Sequence, residues 1–183
     1  MILPLAHKRF PKRLWAPWRL GYLVDTRNAS TKGCLFCRVQ RSRSDVKNHV
    51  LTRGRFSFSI LNRFPYNNGH LLIAPYRHVG RLEFLTDKEW LDLLYLLRDS
   101  LKRLKSVLAP HGYNLGINMG RAGGAGIPGH LHLHLVPRWV GDTNFMPIIA
   151  DMKVISQSLN AAYTSLKRIN QGHAKKFSRK TAH

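Results

Sequence analysis

Histidine and leucine alternate strictly through residues 130–135, and the side chains of this stretch are better suited to chemistry than those of any other stretch in the chain. Such alternation predicts a β-strand with one buried face. Because side chains two residues apart share a face of a strand, the three leucines would cover a core while the histidines line up opposite them: His130, His132 and His134. Imidazole is the side chain best suited to nucleophilic, acid–base or metal chemistry near neutral pH. The stretch therefore predicts three chemically reactive histidines on one face of a strand.

Two cysteines, Cys34 and Cys37, lie three residues apart. In an intracellular chain this spacing indicates metal or redox chemistry before a structural disulfide. A redox pair would place its thiolate at a helix start within a βαβ unit, and residues 30–40 do not have that pattern. Two inert cysteines are a further alternative. A structural zinc site commonly contains such a Cys-x-x-Cys arm, so the pair predicts half of a tetrahedral site.

The length of 183 residues favours one domain with a sizeable core. Lysine and arginine number 30 against 9 acidic residues, which gives a net charge of +21 and favours polyanionic ligands or surfaces. No apolar run is long enough for a transmembrane helix. At the N-terminus the charges follow a short apolar run, the reverse of a secretory signal. A cytoplasmic protein without membrane contact is expected.

The element pattern predicts an α+β fold with a mostly antiparallel sheet, because the strands and helices do not alternate regularly. Strands are expected at residues 56–61, 69–75 and 113–118. Thr86 and Glu89 form a capping-box pattern that opens a long amphipathic helix, with leucines from Leu93 and Leu94 onward on its buried face and an end at His111-Gly112. A glycine-rich loop spans residues 120–129. A last helix covers roughly residues 152–169.

Three regions follow from composition. Residues 1–47 form a basic, irregular arm that carries the cysteine pair. Its aromatic residues Trp15 and Trp18 are expected to pack on the domain, although contact with a second subunit or a base is also possible. Residues 48–169 form the folded domain. Residues 170–183 are basic, contain no acid and are expected to be disordered.

The histidine stretch resembles the His-x-His-x-His signature of the histidine-triad superfamily of nucleotide hydrolases and transferases. Residues 61–75 resemble the upstream strand pair of that family. Pro137-Arg138-Trp139 and residues 141–145 resemble the bacterial diadenosine tetraphosphate phosphorylases and hydrolases. The likeness covers residues 14–168 and implies the fold of that family, with one long and one C-terminal helix, completed by homodimerisation.

The resemblance implies that His132 attacks the α-phosphorus of a nucleotide and forms a covalent nucleotidyl-histidine, which water or phosphate then releases. A neutral imidazole is needed for attack, so its other nitrogen should donate to an acceptor. His134 would donate a hydrogen bond to the phosphate or to the leaving oxygen. His70 is carried over into the catalytic set as a fourth histidine whose role is not separated from support.

Nucleotide-binding residues are carried over in the same way. Asn62 matches a residue that binds the ribose hydroxyls, with an ordinary turn-former as the alternative. Asn118 matches an amide near the phosphate. Backbone amides near Gly124 and Gly126 can approach an anion closely, although a plain flexible connection is also possible. Ile127 stands where many relatives have a hydroxyl or amide side chain, so a phosphate contact there must come from the backbone.

Some members of the superfamily bind zinc with two cysteines, a histidine after the Gly-His strand and the first triad histidine. The matching positions here are Cys34, Cys37, His78 and His130. Four protein ligands leave no open position for water, so this zinc would be structural. If no zinc binds, His130 returns to the triad as a hydrogen-bonding member.

The leading hypothesis is cleavage of a dinucleoside polyphosphate such as diadenosine tetraphosphate, with hydrolase and phosphorylase differing only in the acceptor. One alternative is hydrolysis of nucleoside phosphoramidates by the same residues. Another is a nucleotide-binding or RNA-binding module without turnover, suggested by the charge. Because nonspecific affinity follows from charge alone and no RNA-binding motif is present, contact with nucleic acid is expected only nonspecifically.

Overall fold

A computed structural model describes residues 33–42, 44–143 and 155–178; Trp15 and Trp18 lie outside these ranges. A five-stranded sheet forms its centre, in the order β1-β2-β3-β5-β4. All of its neighbouring strands are antiparallel. The strands are β1 (Val50–Arg53), β2 (Ser57–Leu61), β3 (Leu71–Pro75), β4 (Gly112–Ile117) and β5 (Leu133–Arg138).

Within the ranges that the structure describes, four α-helices accompany the sheet. They are α1 (Leu35–Arg41), α2 (Asp45–Asn48), α3 (Asp87–Leu108) and α4 (Leu159–Ser178), and a short 3₁₀ turn covers Leu82–Phe84. Helices and an antiparallel sheet together confirm the predicted α+β class. None of the helices within the described ranges is long and apolar enough to span a membrane.

The two faces of the sheet pack against different elements. Both are covered at the histidine stretch, whereas the alternation predicted one buried face: His130 is fully buried and His132 is 5% exposed. On one face, leucines of the histidine stretch pack with β3 and α3: Leu131 joins Ile73 and Leu93, and Leu135 joins Leu71 and Leu104. On the other face, Phe36 and Val39 of α1 pack on Phe58, Ile60 and Leu72. The histidines lie on this second face, beneath α1.

Only part of the histidine stretch is a strand, however. β5 begins at Leu133, so His130 and His132 precede the hydrogen-bonded ladder. The ladder with β3 ends at the pair Ile73 and Leu133. Pro75 comes soon afterwards on β3 and has no N–H to donate, and Leu131 N instead donates to the carbonyl of Val79 at 2.6 Å. The side chains still alternate because this segment continues the direction of the strand.

Helix α3 begins as predicted and ends earlier than predicted. Both hydrogen bonds of the capping box are present between Thr86 and Glu89. The helix ends at Leu108, and Ala109 takes the left-handed cap position with φ 43°. Pro110 then prevents continuation, so Gly112 is free to open β4 instead. Leu94, expected on the buried face, is 49% exposed, and Leu96 is buried in its place.

The ends of the domain also differ from expectation. The described part of the arm contains α1 and most of α2, where the composition predicted irregular chain. Residues 155–158 are not helical, and α4 starts at Leu159 rather than near residue 152. This last helix continues to Ser178, through residues whose composition predicted disorder. Composition reports the lack of apolar area for packing, and it does not forbid a helix that extends from a packed first half.

Candidate functional site

Four side chains that sequence reasoning assigned to zinc converge at one point. The ligand atoms of Cys34, Cys37, His78 and His130 all lie within 4.8 Å of one another. Cys34 caps the start of α1 and Cys37 lies in its first turn, so one helix start presents both sulfurs. His78 comes from the loop after β3, and His130 from the segment before β5. The fold thus assembles the cluster from three separate parts of the chain.

The distances within the cluster fit a tetrahedral zinc ion. Nδ1 of His78 and Nδ1 of His130 are 3.3 Å apart, and each has a cysteine sulfur 3.3 Å away. Two nitrogens that bind zinc tetrahedrally at about 2.05 Å are separated by about 3.3 Å. The donor set of two sulfurs and two imidazole nitrogens is also one that zinc prefers. These residues therefore fit the ion that the sequence suggested.

His130 is prepared to act as a ligand. Its Nε2 donates to the carbonyl of Pro75 at 2.9 Å, which leaves the lone pair on Nδ1, the nitrogen that faces the cluster. Burial lowers the pKa of His130 to about 4, so the ring is neutral near neutral pH. For the neighbouring Cys37, burial and then the charge of Cys34 raise the pKa of the thiol. A divalent cation would offset the repulsion between two thiolates.

Two glycines that sequence reasoning missed bring the ligand loops together. A Cβ at Gly80 would come within 2.6 Å of the carbonyl oxygen of Pro128, and one at Gly129 within 3.3 Å of Nε2 of His78. The loops that carry His78 and His130 are therefore in backbone contact. A glycine two residues after one candidate ligand and another directly before the next were the available signal.

His132 has the geometry of a neutral nucleophile. Its Nδ1 donates to the backbone carbonyl of His130 at 2.9 Å, which leaves the lone pair on Nε2. Burial lowers the pKa of His132, which favours the uncharged ring. The predicted acceptor for the second nitrogen of His132 is thus the main-chain carbonyl of His130, a candidate metal ligand two positions away.

His70 and His134 form a hydrogen-bonded pair beside His132. Nε2 of His70 lies 3.0 Å from Nδ1 of His134, and the ring of His134 is centred 5.0 Å from that of His132. His70 is fully buried, and burial followed by the neighbouring His134 and His132 lowers its pKa to about 3. His70 is therefore uncharged near neutral pH.

Phe36 is a third residue that sequence reasoning missed. Its ring centroid lies 5.0 Å from the rings of both His130 and His132. It stands between the two cysteines, so the helix start that supplies the sulfurs also covers the candidate nucleophile. A single aromatic residue inside a Cys-x-x-Cys arm gives no sequence signal of this contact, because it depends on where α1 docks.

The candidate nucleotide-binding residues divide into two groups. Asn62 lies at the histidines: its Nδ2 is 3.2 Å from Nδ1 of His70, and its Oδ1 accepts from Phe64 N at 3.0 Å. This is the turn geometry that was the alternative for Asn62. Asn118 instead contacts the glycine-rich loop, with Nδ2 at 3.5 Å from the carbonyl of Gly124, and Gly126 lies in that same loop. Gly124 has φ +80°, which favours glycine.

With the fold and this geometry established, the class of protein can be stated. The family model described as "HIT domain" matches residues 43–140, slightly more than half of the chain. The chain belongs to the HIT, or histidine triad, family. A Mycobacterium tuberculosis protein named AP-4-A phosphorylase is 40% identical over 154 residues, which cover 81% of this chain and 78% of the relative. The asymmetrical bis(5'-nucleosyl)-tetraphosphatase of Schizosaccharomyces pombe is 34% identical over 101 residues, 55% of each chain.

Solved structures share the fold. A Zn-bound histidine triad family protein from Mycobacterium smegmatis aligns with a TM-score of 0.59 at 20% identity, covering 78% of this chain and 99% of the other. A GALT-like protein from Arabidopsis thaliana aligns with a TM-score of 0.62 at 18% identity, covering 79% of this chain and 48% of the other. At these identities the likeness concerns architecture alone, and it agrees with the fold expected from the histidine-triad resemblance.

Proposed function

We propose that this chain is a nucleotide hydrolase or transferase that cleaves dinucleoside polyphosphates, such as diadenosine tetraphosphate, through a nucleotidyl intermediate on His132. The observation that carries the proposal is the hydrogen bond from Nδ1 of His132 to the carbonyl of His130. It makes Nε2 the nucleophilic nitrogen of a neutral ring. The names of the mycobacterial and fission-yeast relatives support the substrate class.

In the first step, Nε2 of His132 attacks the α-phosphorus of one nucleoside. A P–N bond forms while the bond from that phosphorus to the bridging oxygen breaks, and with diadenosine tetraphosphate the leaving group is ATP. His134 donates a hydrogen bond to the phosphoryl or bridging oxygen. Phosphoryl-type transfer depends mostly on positioning and charge stabilisation, and a fixed neighbouring donor supplies both.

In the second step, an oxygen nucleophile attacks the same phosphorus and the P–N bond breaks, which restores His132. Water yields AMP, and inorganic phosphate yields ADP. The two reactions differ in the acceptor and share every residue named here. Hydrolase and phosphorylase are therefore two outcomes of one intermediate.

The nucleotide would be held by residues around the histidines. Asn62 would bind the ribose hydroxyls, Asn118 would contact the phosphate, and backbone amides near Gly124 and Gly126 would face the anion. Ile127 packs against the cluster that contains Phe36 and so ties the glycine-rich loop to the face that carries the histidines. This contact supports a role for the loop at the same site.

We also propose that Cys34, Cys37, His78 and His130 bind a structural zinc ion. The ion would supply a fixed link between α1, the loop after β3 and the segment before β5. The support is the 4.8 Å convergence of the four ligand atoms and the hydrogen bond that orients His130. No open coordination position remains for substrate or water, so zinc takes no part in the chemical step.

A homodimer joined through β4 is a further part of the proposal. At the opposite edge, the β1 carbonyls of Val50 and Leu51 accept hydrogen bonds from Nζ of Lys167, so α4 covers that strand. β4 is also an edge strand, and its Leu115 is 52% exposed. The outer face of α3 adds exposed Leu94 and Tyr95. An edge strand that no described element covers, together with exposed apolar side chains, favours pairing with a second copy.

We place the protein in the cytoplasm within this proposal. Both cysteines are free thiols, and their candidate role requires thiolates. A reducing compartment keeps thiols available for a metal, whereas an oxidising one favours disulfides. Retention of the protein in the soluble cell fraction, with zinc bound, is the expected observation.

The function is tested by mass spectrometry of the intact protein mixed with diadenosine tetraphosphate, with and without phosphate. We expect an adduct heavier than the free protein by one adenylyl group (AMP less one water), release of ATP, and then ADP when phosphate is present or AMP when it is absent. The same run identifies hydrolase or phosphorylase by its second product.

His132→Ala is the informative variant and His111→Ala the matched control, because His111 accepts from Val140 N beyond the end of β5, whereas His132 precedes the start of that strand. We expect the control to form adduct and the His132→Ala variant to form none. Adduct and turnover in folded His132→Ala protein at the wild-type rate would reject the proposed nucleophile. Nucleotide binding without any product from the wild-type protein would favour a binding module instead.

A further inference from the structure

Tyr66 lies in the loop between β2 and β3 and touches both histidines of the pair. Its ring is stacked on His134 with centroids 5.8 Å apart and planes only 8° from parallel. The same ring is centred 4.8 Å from His70. Tyr66 is 39% exposed, so burial of its own apolar area is incomplete. The two ring contacts are the main feature that distinguishes it from other residues of the loop.

The backbone of Tyr66, together with the side-chain amide of Asn62 at 3.2 Å from the same ring nitrogen, fixes where His70 carries its proton. Tyr66 N–H donates to Nδ1 of His70 at 3.0 Å. A peptide nitrogen can only donate, so Nδ1 of a neutral His70 must be the acceptor and its proton must lie on Nε2. His70 is neutral near neutral pH, since its pKa is about 3.

The proton on His70 in turn fixes His134. Nε2–H of His70 points at Nδ1 of His134, at 3.0 Å. Nδ1 of His134 is then an acceptor, and a neutral His134 carries its proton on Nε2. A flip of the His134 ring would turn a carbon towards His70 and lose this hydrogen bond. The Tyr66 ring lies parallel to the His134 ring, and a rotation of the imidazole out of its plane would lose this stacking.

We propose that Tyr66 is a positioning residue for the reaction: its N–H and its ring together hold His70 and His134 in the tautomers and orientation that present Nε2–H of His134 to the substrate. The inference rests on the proposed function for its link to catalysis. It also assigns His70 to support: His70 acts through His134 and does not contact the substrate. His70 and Tyr66 form the support that a hydrogen-bond donor in the active site requires.

The first test compares two substitutions of the same side chain. Tyr66→Phe keeps the ring and Tyr66→Leu removes it, while both keep the peptide N–H. We expect Tyr66→Leu to lower kcat at least about tenfold with KM changed less than about twofold, because the donor is misplaced and binding is kept. Tyr66→Phe should retain wild-type kcat. Phe64→Leu is the matched control, since it removes an exposed aromatic ring from the same loop.

The second test needs no substrate. Nitrogen-15 NMR of the imidazoles reports which nitrogen carries each proton. In the wild-type protein we expect His70 and His134 both protonated on Nε2, with a scalar coupling between the Tyr66 amide nitrogen and Nδ1 of His70. In Tyr66→Leu we expect His134 to show a mixture of tautomers, with an otherwise conserved amide spectrum.

The outcomes separate the two levels of inference. A wild-type His70 protonated on Nδ1 overturns the positioning proposal, whatever the enzyme does. Unchanged kcat and an unchanged His134 tautomer in folded Tyr66→Leu also overturn it. If the wild-type protein forms no nucleotidyl adduct, the proposed function fails, and the NMR result still decides whether Tyr66 sets the tautomers.

Discussion

The four histidines of the candidate site have different candidate roles because each imidazole ring has a different hydrogen-bond partner. His130 donates from Nε2 to Pro75 and turns Nδ1 to the metal cluster, whereas His132 donates from Nδ1 to a carbonyl and keeps its lone pair on Nε2. His134 receives its bond from His70. The choice of nitrogen, and not the presence of imidazole, separates the candidate ligand, nucleophile and donor.

Asn62 carries the first prediction at this scale. Asn62→Ala should cost about 1 kcal/mol of stability, because Phe64 N loses its acceptor and His70 loses a neighbour. Asn62→Asp keeps the acceptor for Phe64 N but replaces the Nδ2 donor that faces Nδ1 of His70 with an oxygen that can only accept, so it should lose stability as well. If Asn62 also binds ribose, the affinity for AMP should fall more in Asn62→Ala than in Asn62→Asp. Calorimetric titration with AMP, beside urea unfolding, measures both. Equal AMP affinity in all three proteins would return Asn62 to a turn residue alone.

At the scale of elements, the loop after β3 carries the candidate zinc ligand His78 and is held in place on both sides of that residue. On one side Gly80 lets the backbone approach Pro128 closely. On the other side Arg77 pairs with Glu89 at the start of α3, with Nη2 to Oε2 at 2.8 Å. Glu89 also completes the capping box of that helix. The helix start and the ligand loop are therefore held by one carboxylate.

Gly80→Ala tests the backbone contact. A Cβ 2.6 Å from a backbone oxygen forces the two loops apart, so we expect the purified variant to contain less zinc and to lose it to a chelator sooner than wild type. Gly112→Ala is the control, because nothing lies within 4 Å of the added Cβ. Elemental analysis and chelator-release kinetics measure the effect. Zinc-free wild-type protein would reject the metal site, and wild-type zinc retention by Gly80→Ala would reject the role of this contact.

Glu89 gives a prediction about pH. The hydrogen bond from Arg77 is the largest cause that lowers the pKa of Glu89 to about 2, well below its ordinary 4.5. A lowered carboxyl pKa stabilises the fold above the ordinary value, and this contribution is lost as the pH falls from about 4.5 to about 2. Because Arg77 is half-exposed, solvent screens the pair and we expect about 1–2 kcal/mol.

Urea unfolding of wild type and Glu89→Gln across this pH range measures that contribution. The wild-type protein should be the more stable at neutral pH, and the difference should shrink as acid protonates Glu89. Any zinc released by acid is released from both proteins, so the difference between them reports the carboxylate. A difference that stays constant down to about pH 2 would contradict the assignment.

For the whole molecule, the two edges of the sheet and the net charge matter most. Lys167 covers the β1 edge, while β4 and the outer face of α3 expose apolar side chains. The charge of +21 attracts a polyphosphate over a distance and also raises nonspecific affinity for nucleic acid. Because salt screens such attraction, it acts on the rate of encounter more than on the chemistry at His132.

The dimer is tested by a charge on its proposed interface. Leu94→Glu should shift the protein from dimer to monomer, because burial of an unpaired carboxylate in an apolar contact is costly. Val140→Glu is the control, at an exposed position beyond the end of β5. Sedimentation velocity over a range of concentrations measures the assembly. A monomeric wild type, or a dimeric Leu94→Glu, would reject this interface.

Much of the fold could be predicted from the sequence, because local patterns determine it. The alternation at residues 130–135 gave the correct buried leucines, and the Thr86–Glu89 pattern gave the start of α3. The predictions for the end of α3, the start of α4 and the helical content of the arm were wrong. Each of these depends on competition between local signals or on packing against distant residues, which a local pattern does not contain.

The sequence alone determined which chemistry is open to the site. A row of imidazoles and a Cys-x-x-Cys arm restrict that chemistry through their pKa values and through the metals that they prefer to bind. The tertiary structure decided what each imidazole does. Cys34 and His130 meet across 96 positions, and the carbonyls, peptide N–H groups and rings that select each tautomer come from other elements. The contacts of Phe36 with His130 and His132, and the stacking of Tyr66 on His134, likewise depend on how α1 and the loop between β2 and β3 pack on the sheet. A hydrogen-bond partner is a matter of distance in space, so only the folded chain can specify it.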